Sequence, residues 1–269
     1  MMKSIDVEVC CGGLGDALAA ARFPIARIEL NGALELGGLT PSVSTLREVK
    51  KNVSVPVMTM VRPRGAGFCY SLQEKQIMFL DAEVFLKEGA DGIVFGFLNP
   101  DHSVDEENTR KMVDLIHSYG KTAVFHRAFD NTRDCDEAIA ALMRCHVDRV
   151  LTSGHRDTCL LGADEIKHLI DTYGNSIEIL PGCGVRPNNV LDLLKKTGSS
   201  QVHLSARTSL QDDGAYDAVS AATLNQVFEK LRQHRSDADH LRSEDMPAAD
   251  EDMLKSDRYE DDIEGELTE

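Results

Sequence analysis

Side chains able to do chemistry sit at the ends of short apolar runs along this chain of 269 residues. Cys10 closes the first run, and Met60 lies near the end of the third, which Arg62 and Arg64 follow. His126 ends the fifth and opens His126-Arg127-Ala128-Phe129-Asp130. Gly182-Cys183-Gly184 follows the seventh, and Ser205-Ala206-Arg207 closes the eighth. Guanidinium groups recognise carboxylates and phosphates in a bidentate manner, so Arg62, Arg64, Arg127 and Arg207 are candidate anion ligands. Gly182, Gly184 and Ser205 join them through loop amides and a hydroxyl. Imidazole titrates near neutrality, which makes His126 a candidate acid, base or metal ligand, with Glu29 and Asp130 as carboxylates that either share that chemistry or fix the ring. Thiolates and thioethers suit soft metals, so Cys10 and Met60 are candidate metal contacts; Cys10 is equally open to the common fate of a small buried core residue.

The elements that must position these groups alternate. Strand-like runs occupy Ile5–Cys10, Ala26–Leu30, Pro56–Val61, Gly92–Phe97, Thr122–His126, Arg149–Thr152, Ile177–Pro181 and Val202–Ser205. Helix-like segments lie between them. Thr40-Pro41 reads as a cap followed by proline at the first helical position, and Ser71-Leu72-Gln73-Glu74 has capping-box spacing. Pro187 precedes a helix over 188–196, and Leu224–Leu231 belongs to a last one. Eight βα units with short connections predict a parallel sheet closed as a TIM (β/α)₈ barrel, a single domain over 1–235, with a doubly wound open sheet as the alternative.

Strand residues alternate between faces. The apolar set (Val7, Val9, Ile28, Leu30, Val57, Val202, Leu204) must meet the helices. Glu8, Cys10, Arg27, Glu29, Asn31, Arg62, His126, His203 and Ser205 then point into the barrel. Buried charges need partners, so these residues predict a compensated network that widens into a polar pocket at the C-terminal rim, where barrels carry their sites.

Composition narrows the function classes. The net charge is −16. From Ser236 to Glu269 fourteen Asp/Glu face three Lys/Arg, a net −11 that leaves −5 for the rest. The segment 236–269 therefore reads as an acidic, disordered tail. No basic stripe points to nucleic acid, and no apolar run reaches the ~20 residues of a membrane span. The first residues lack an apolar stretch, so no signal peptide is expected. The seven cysteines show neither disulfide-framework nor zinc spacing, as expected for reduced thiols in the cytoplasm or the nucleus.

The stretches VEVCCGG (7–13), RIELNGALELGGLTPS (27–42), PVMTMVRPRGAGFCYS (56–71), FHRAFD (125–130), RVLTSG (149–154), PGCGV (181–185) and VHLSAR (202–207) resemble the copper homeostasis CutC family in the same order. The resemblance implies a TIM-like barrel, often assembled into a homo-oligomer. It also implies a role in intracellular copper handling, with Cu(I) held by one Cys closing the first strand and another following RIEL. Here those positions are Cys10 and Asn31, and an amide is a poor ligand for a soft ion. Cys11 has the parity of the opposite face, Cys69 and Cys183 lie on rim loops, and Cys135, Cys145 and Cys159 fall on helical segments. A copper homeostasis protein that binds Cu(I) is the first reading. The alternative is a TIM-barrel enzyme acting on a small phosphorylated or carboxylated metabolite. A third is a scaffold whose acidic tail recruits basic partners.

Overall fold

The computed structural model describes residues 5–244. Eight strands alternate with helices: β1 (Asp6–Cys11), α1 (Leu14–Ala20), β2 (Arg27–Leu30), α2 (Val43–Asn52), β3 (Val57–Met60), α3 (Leu72–Lys87), β4 (Gly92–Phe95) and α4 (Glu106–Ser118). They continue through β5 (Thr122–Phe125), α5 (Cys135–Arg144), β6 (Arg149–Thr152), α6 (Ala163–Tyr173), β7 (Glu178–Pro181), α7 (Val190–Thr197) and β8 (Gln201–Leu204). All neighbouring pairs are parallel, in the order β7-β6-β5-β4-β3-β2-β1-β8. The sheet thus curls into a nearly closed TIM-like barrel. At the seam between the end strands, Gln201 donates from Nε2 to the Ile179 carbonyl at 3.1 Å, a side chain standing where a ladder bond would be.

Strand parity holds. Val7, Val9, Cys11, Ile28, Leu30, Val57, Val202 and Leu204 belong to the main core between barrel and helices. That core also takes the apolar faces of α4 (Met112, Val113, Ile116) and α5 (Ile139, Leu142). Local signals set the helix starts. Ser71 and Glu74 form a reciprocal capping box on α3, as its spacing predicts. At α2 the cap is Ser42, whose hydroxyl accepts from the Thr45 amide at 3.1 Å. The helix therefore starts beyond Thr40-Pro41, and Thr40 instead accepts from the Arg62 amide at 2.9 Å.

Inside the barrel the residues divide. Met58, Met60, Val94 and Val124 form a small apolar cluster on the β3–β5 side. On the β1, β2 and β8 side the interior is charged. Register places Glu8 opposite both Arg27 and His203. Its carboxylate accepts from Arg27 Nε at 2.5 Å and pairs with His203 Nδ1 at 2.7 Å. Arg27 also donates to Gln201 Oε1 at 2.5 Å, which ties this layer to the seam.

Two features differ from the sequence expectation. An antiparallel hairpin, β9 (Arg207–Gln211) with β10 (Ala215–Val219), stands between β8 and the last helix, α8 (Ala221–Glu244). Its strands are mostly exposed, so they lack the buried apolar face by which periodicity reveals the barrel strands. Helix α8 continues past Ser236, where composition placed the start of a tail; residues 245–269 of that acidic segment lie outside the described residues.

Replacing Glu8 by Gln leaves Arg27 and His203 buried without their anion. The expected loss is about 3–5 kcal/mol, read as a lower urea midpoint with an unchanged slope. Burial opposes ionisation of Glu8, but the hydrogen bond from His203 and the charges of His203, Arg27 and Arg149 outweigh it and hold its pKa at about 2, against an ordinary 4.5. Its contribution is therefore fully present above the ordinary carboxylate range and is lost as pH falls from there toward about 2. The Glu8→Gln variant should show a flatter acid limb in the same measurement.

Candidate functional site

A cavity of about 470 Å³ opens at the C-terminal ends of the strands. Its floor comes from β1, β2 and β8. Because Cys10 pairs in register with Glu29, and Glu8 one step below pairs with His203, the alternation that buries Val9 and Leu204 turns Cys10, Glu29 and His203 toward one point. Their ligand-capable atoms lie within 4.8 Å of one another, and all three residues are buried. His203 Nε2 stands 3.9 Å from Glu29 Oε2. Asn31 leans over the group: its Nδ2 donates to Glu29 Oε2 at 2.8 Å and to Cys10 Sγ at 3.4 Å. The Asn31 amide oxygen closes against Gly38, where a Cβ would stand 2.5 Å from it and where φ is +87 or close to it on both glycines of the loop, +87 at Gly37 and +85 at Gly38.

The charge states follow from burial and neighbours. Desolvation pushes the Cys10 thiol well above its ordinary range, and the Glu29 carboxylate adds to the shift. The thiol is therefore the resting form. Desolvation also raises Glu29, against the opposing charge of His203. For His203, desolvation works against protonation, but the charges of Glu29 and Glu8 and the hydrogen bond to Glu8 prevail and raise its pKa. A carboxylate holding the far nitrogen of an imidazole is the usual arrangement behind a metal-binding histidine. Glu8 does this at Nδ1, which leaves Nε2 facing Cys10 and Glu29.

The β3–β5 wall is built differently. His126 follows β5 and is 3% exposed. Its Nδ1 accepts from the Ala128 amide at 3.1 Å, so the proton of the neutral ring resides on Nε2. Gly96 makes room for this pose: a Cβ there would come within 2.6 Å of Nδ1 and Cε1. Phe68 packs on the ring with centroids 5.0 Å apart. Among the described residues Nε2 has no hydrogen-bond partner. Burial first, then the charges of Arg62 and Arg127, lower the pKa of His126 to about 3. It is thus a neutral donor, which corrects the expectation of a group titrating near neutrality. Neither Asp130 nor Glu29 holds the ring; the Ala128 amide does.

The other expected site residues separate. Cys10, Glu29, Met60, Arg62, Arg127, Gly184, Ser205 and Arg207 line the cavity. Arg62 is largely committed: its terminal nitrogens donate to the carbonyls of Leu36, Gly37, Gly38 and Ala66 at 3.0–3.3 Å. It organises the rim loops, and its Cζ lies 5.0 Å over the Phe68 ring. Arg64 lies outside the cavity lining, bound to Glu74 at 2.5 Å and stacked on Tyr70. Asp130 is also outside it. That carboxylate is saturated by Arg127 Nε, Thr152 Oγ1, Ser153 Oγ and the Ser153 and His155 amides, so it braces the β5 and β6 loops. Gly182 stands beside the cavity, where a Cβ would meet His203 at 3.2 Å. Cys11 is in the main core, as parity requires. His203, inward by parity but not among the expected ligands, and Arg186, not among the expected anion-binding residues, both line the cavity. Inward parity two residues before Ser205 was the available signal for the first, and proximity to the glycine loop for the second.

The imidazole of His126 should show the Nε2–H tautomer by ¹⁵N NMR and no titration between about pH 5 and 8, where an unperturbed histidine titrates. A midpoint in that interval would overturn its assignment as a neutral donor. Gly96→Ala, which crowds the ring, should change the pattern while His203 keeps its own.

Comparison with known proteins agrees with the arrangement of these motifs. The sequence model of the CutC family matches residues 5–208. A family protein CutC of Treponema denticola is 44% identical over 205 residues, covering 76% of this chain and 82% of that protein. The copper homeostasis protein cutC homolog of Mus musculus is 40% identical over 208 residues, 77% of this chain and 75% of its own. The solved structure of a CutC protein from Streptococcus agalactiae superposes with a TM-score of 0.68 at 30% identity, covering 74% of this chain and 97% of that one. Phosphoribosylanthranilate isomerase from Pyrococcus furiosus, 14% identical with a TM-score of 0.54, shares the barrel fold alone. With the eight barrel strands, interior residues and rim motifs falling inside the matched region, this chain belongs to the CutC family.

Proposed function

We propose that this protein serves copper homeostasis by taking Cu(I) at the mouth of its barrel, between Cys10 Sγ and His203 Nε2. The observation that carries the reading is the convergence of the ligand atoms of Cys10, Glu29 and His203 within 4.8 Å. The names of the mouse and human relatives, copper homeostasis protein cutC homolog, support the role. The donor set fits a monovalent copper ion in part. Thiolate and imidazole suit copper, whereas carboxylate is a hard ligand, so Glu29 is placed as a proton acceptor beside the sulfur. Asn31, at the position of the family's second Cys, supplies N–H groups that orient Cys10 and Glu29. Met60, also on the cavity lining, offers a thioether. A resting thiol is compatible with the cytoplasm, a reducing compartment; among the described residues no helix is long and apolar enough to cross a membrane.

Copper must displace protons to bind. The thiol of Cys10 and the imidazolium of His203 both have raised pKa values, so both are protonated below neutrality and each opposes the cation until its proton leaves. Apparent affinity should rise about tenfold per pH unit for each proton displaced, and so more steeply with both groups than in His203→Gln. In an anaerobic competition titration against a chromogenic Cu(I) chelator, Cys10→Ser should fail to compete. Glu8→Gln should weaken binding by roughly 10–100-fold through loss of the carboxylate behind His203. Wild-type affinity that survives Cys10→Ser would overturn the proposal. So would negligible wild-type affinity that Asn31→Cys restores, because the chain would then have lost its copper site with the second thiol.

Self-association, implied by the family, has its support in α3, where Leu72, Ile77, Leu80 and Val84 are exposed along one helix. A second copy of the chain would cover them. Leu80→Glu should lower the mass found by light scattering to that of the monomer, and an unchanged mass would remove α3 from the interface.

A further inference from the structure

The rim of the cavity that faces β7 and β8 has chemistry that copper does not use. Four arginines line the cavity, Arg62, Arg127, Arg186 and Arg207, against one carboxylate among the described residues, Glu29. Two of the four are engaged: Arg62 by loop carbonyls, and Arg127 by Asp130 at 2.8 Å and Ser153 at 3.0 Å. The other two are held loosely. Arg186 donates from Nη1 to the Val185 carbonyl at 3.0 Å, and Arg207 approaches Asp217 at 3.7 Å. Both follow barrel strands, Arg186 after β7 and Arg207 after β8, with Ser205 on the lining beside them. The positive sign is local, because the chain as a whole carries −16. Concave cationic sites of this kind concentrate small anions.

The second observation comes from the opposite wall. His126 is 3% exposed and lines the same cavity, and its Nε2–H has no partner among the described residues. A buried donor without an acceptor is rare in folded proteins and marks a place where an acceptor is expected. The ring cannot meet that need by turning, because Nδ1 is fixed by the Ala128 amide and Gly96 backs that edge. Phe68, on the cavity wall, packs on the same ring.

We propose that the barrel mouth is a binding site for a small anionic molecule, its carboxylate or phosphate held by Arg186 and Arg207 with Ser205, and a further oxygen of the same molecule accepting from His126 Nε2–H. Arg186, a forked donor with one bond to its own loop, is free to grip two oxygens of such a group. A cavity of about 470 Å³ has the size of small-metabolite sites. The proposal does not rest on copper binding, since its anion ligands are separate from Cys10 and His203.

The test titrates the full chain by calorimetry with inorganic phosphate and, in a second series, with succinate. One saturable site per chain is expected for at least one of them, and the tighter of the two names the anionic group. The double variant Arg186→Gln, Arg207→Gln should weaken that site by about tenfold or more. Arg144→Gln, an arginine paired with Glu106 on the outer helices, makes a like change of charge far from the rim and should leave binding intact. Cys10→Ser should also leave it intact, so failure of the copper reading and failure of this one give different results. His126→Gln, which keeps a donor, should retain more affinity for an oxygen-rich succinate than His126→Leu. Absence of saturation with both anions overturns the proposal, as does equal weakening by Arg144→Gln and the rim variant. Thermal melting of each variant by circular dichroism separates lost binding from lost fold; if the rim pair unfolds the chain, single Arg186→Gln, whose side chain is exposed, carries the same comparison.

Discussion

One buried carboxylate organises this barrel. Glu8 is 2% exposed, and its two oxygens are divided between Arg27 and His203. An ion in that position is tolerable only when its hydrogen-bonding capacity is filled and its charge is matched. Parallel register meets the requirement, because the same step that pairs Glu8 with Arg27 on β2 pairs it with His203 on β8. A slip of one residue in either ladder would turn the ion toward the helices and Val7 or Val9 into the charged layer. The interior charges thus specify the alignment of the strands at which the barrel begins and ends.

The functional layer lies directly above and inherits its states from that ion. Glu8 holds His203 Nδ1, so Nε2 is aimed at Glu29 and Cys10. The positive His203 in turn partly offsets the burial that drives Glu29 toward its neutral form. Asn31 completes the group by donating to both carboxylate and sulfur. Proton positions in this stack are coupled, which is why a metal ion entering it would be felt at several groups together.

The opposite wall is governed by steric fit and neutrality. Met58, Met60, Val94 and Val124 are apolar where β1, β2 and β8 are charged. Above them a histidine stays neutral because burial and two arginines disfavour its cation. Arg62 spends its terminal nitrogens on loop carbonyls, so its role is largely architectural although its residue type invites an anion. The mouth therefore joins a titrating, soft-ligand floor to a neutral donor and to two loosely held guanidinium groups at the β7–β8 rim.

Much of this was legible in the residues themselves. Alternation along eight short runs located the barrel strands to within a few positions, because a strand shielded by helices on one side must carry apolar side chains at every second place. The same parity sent Glu8, Cys10, Arg27, Glu29, Asn31 and His203 inward. What parity could not decide was partnership. Glu8 and His203 are 195 residues apart in the chain, and only closure of the sheet makes them neighbours. The commitment of Arg64 to Glu74, the saturation of Asp130 and the unpartnered nitrogen of His126 likewise depend on loops that meet in space. Residue type states what a group can donate, accept or ionise. Its protonation and availability depend on how many donors and charges the folded chain brings against it, and those neighbours are assigned by tertiary structure alone.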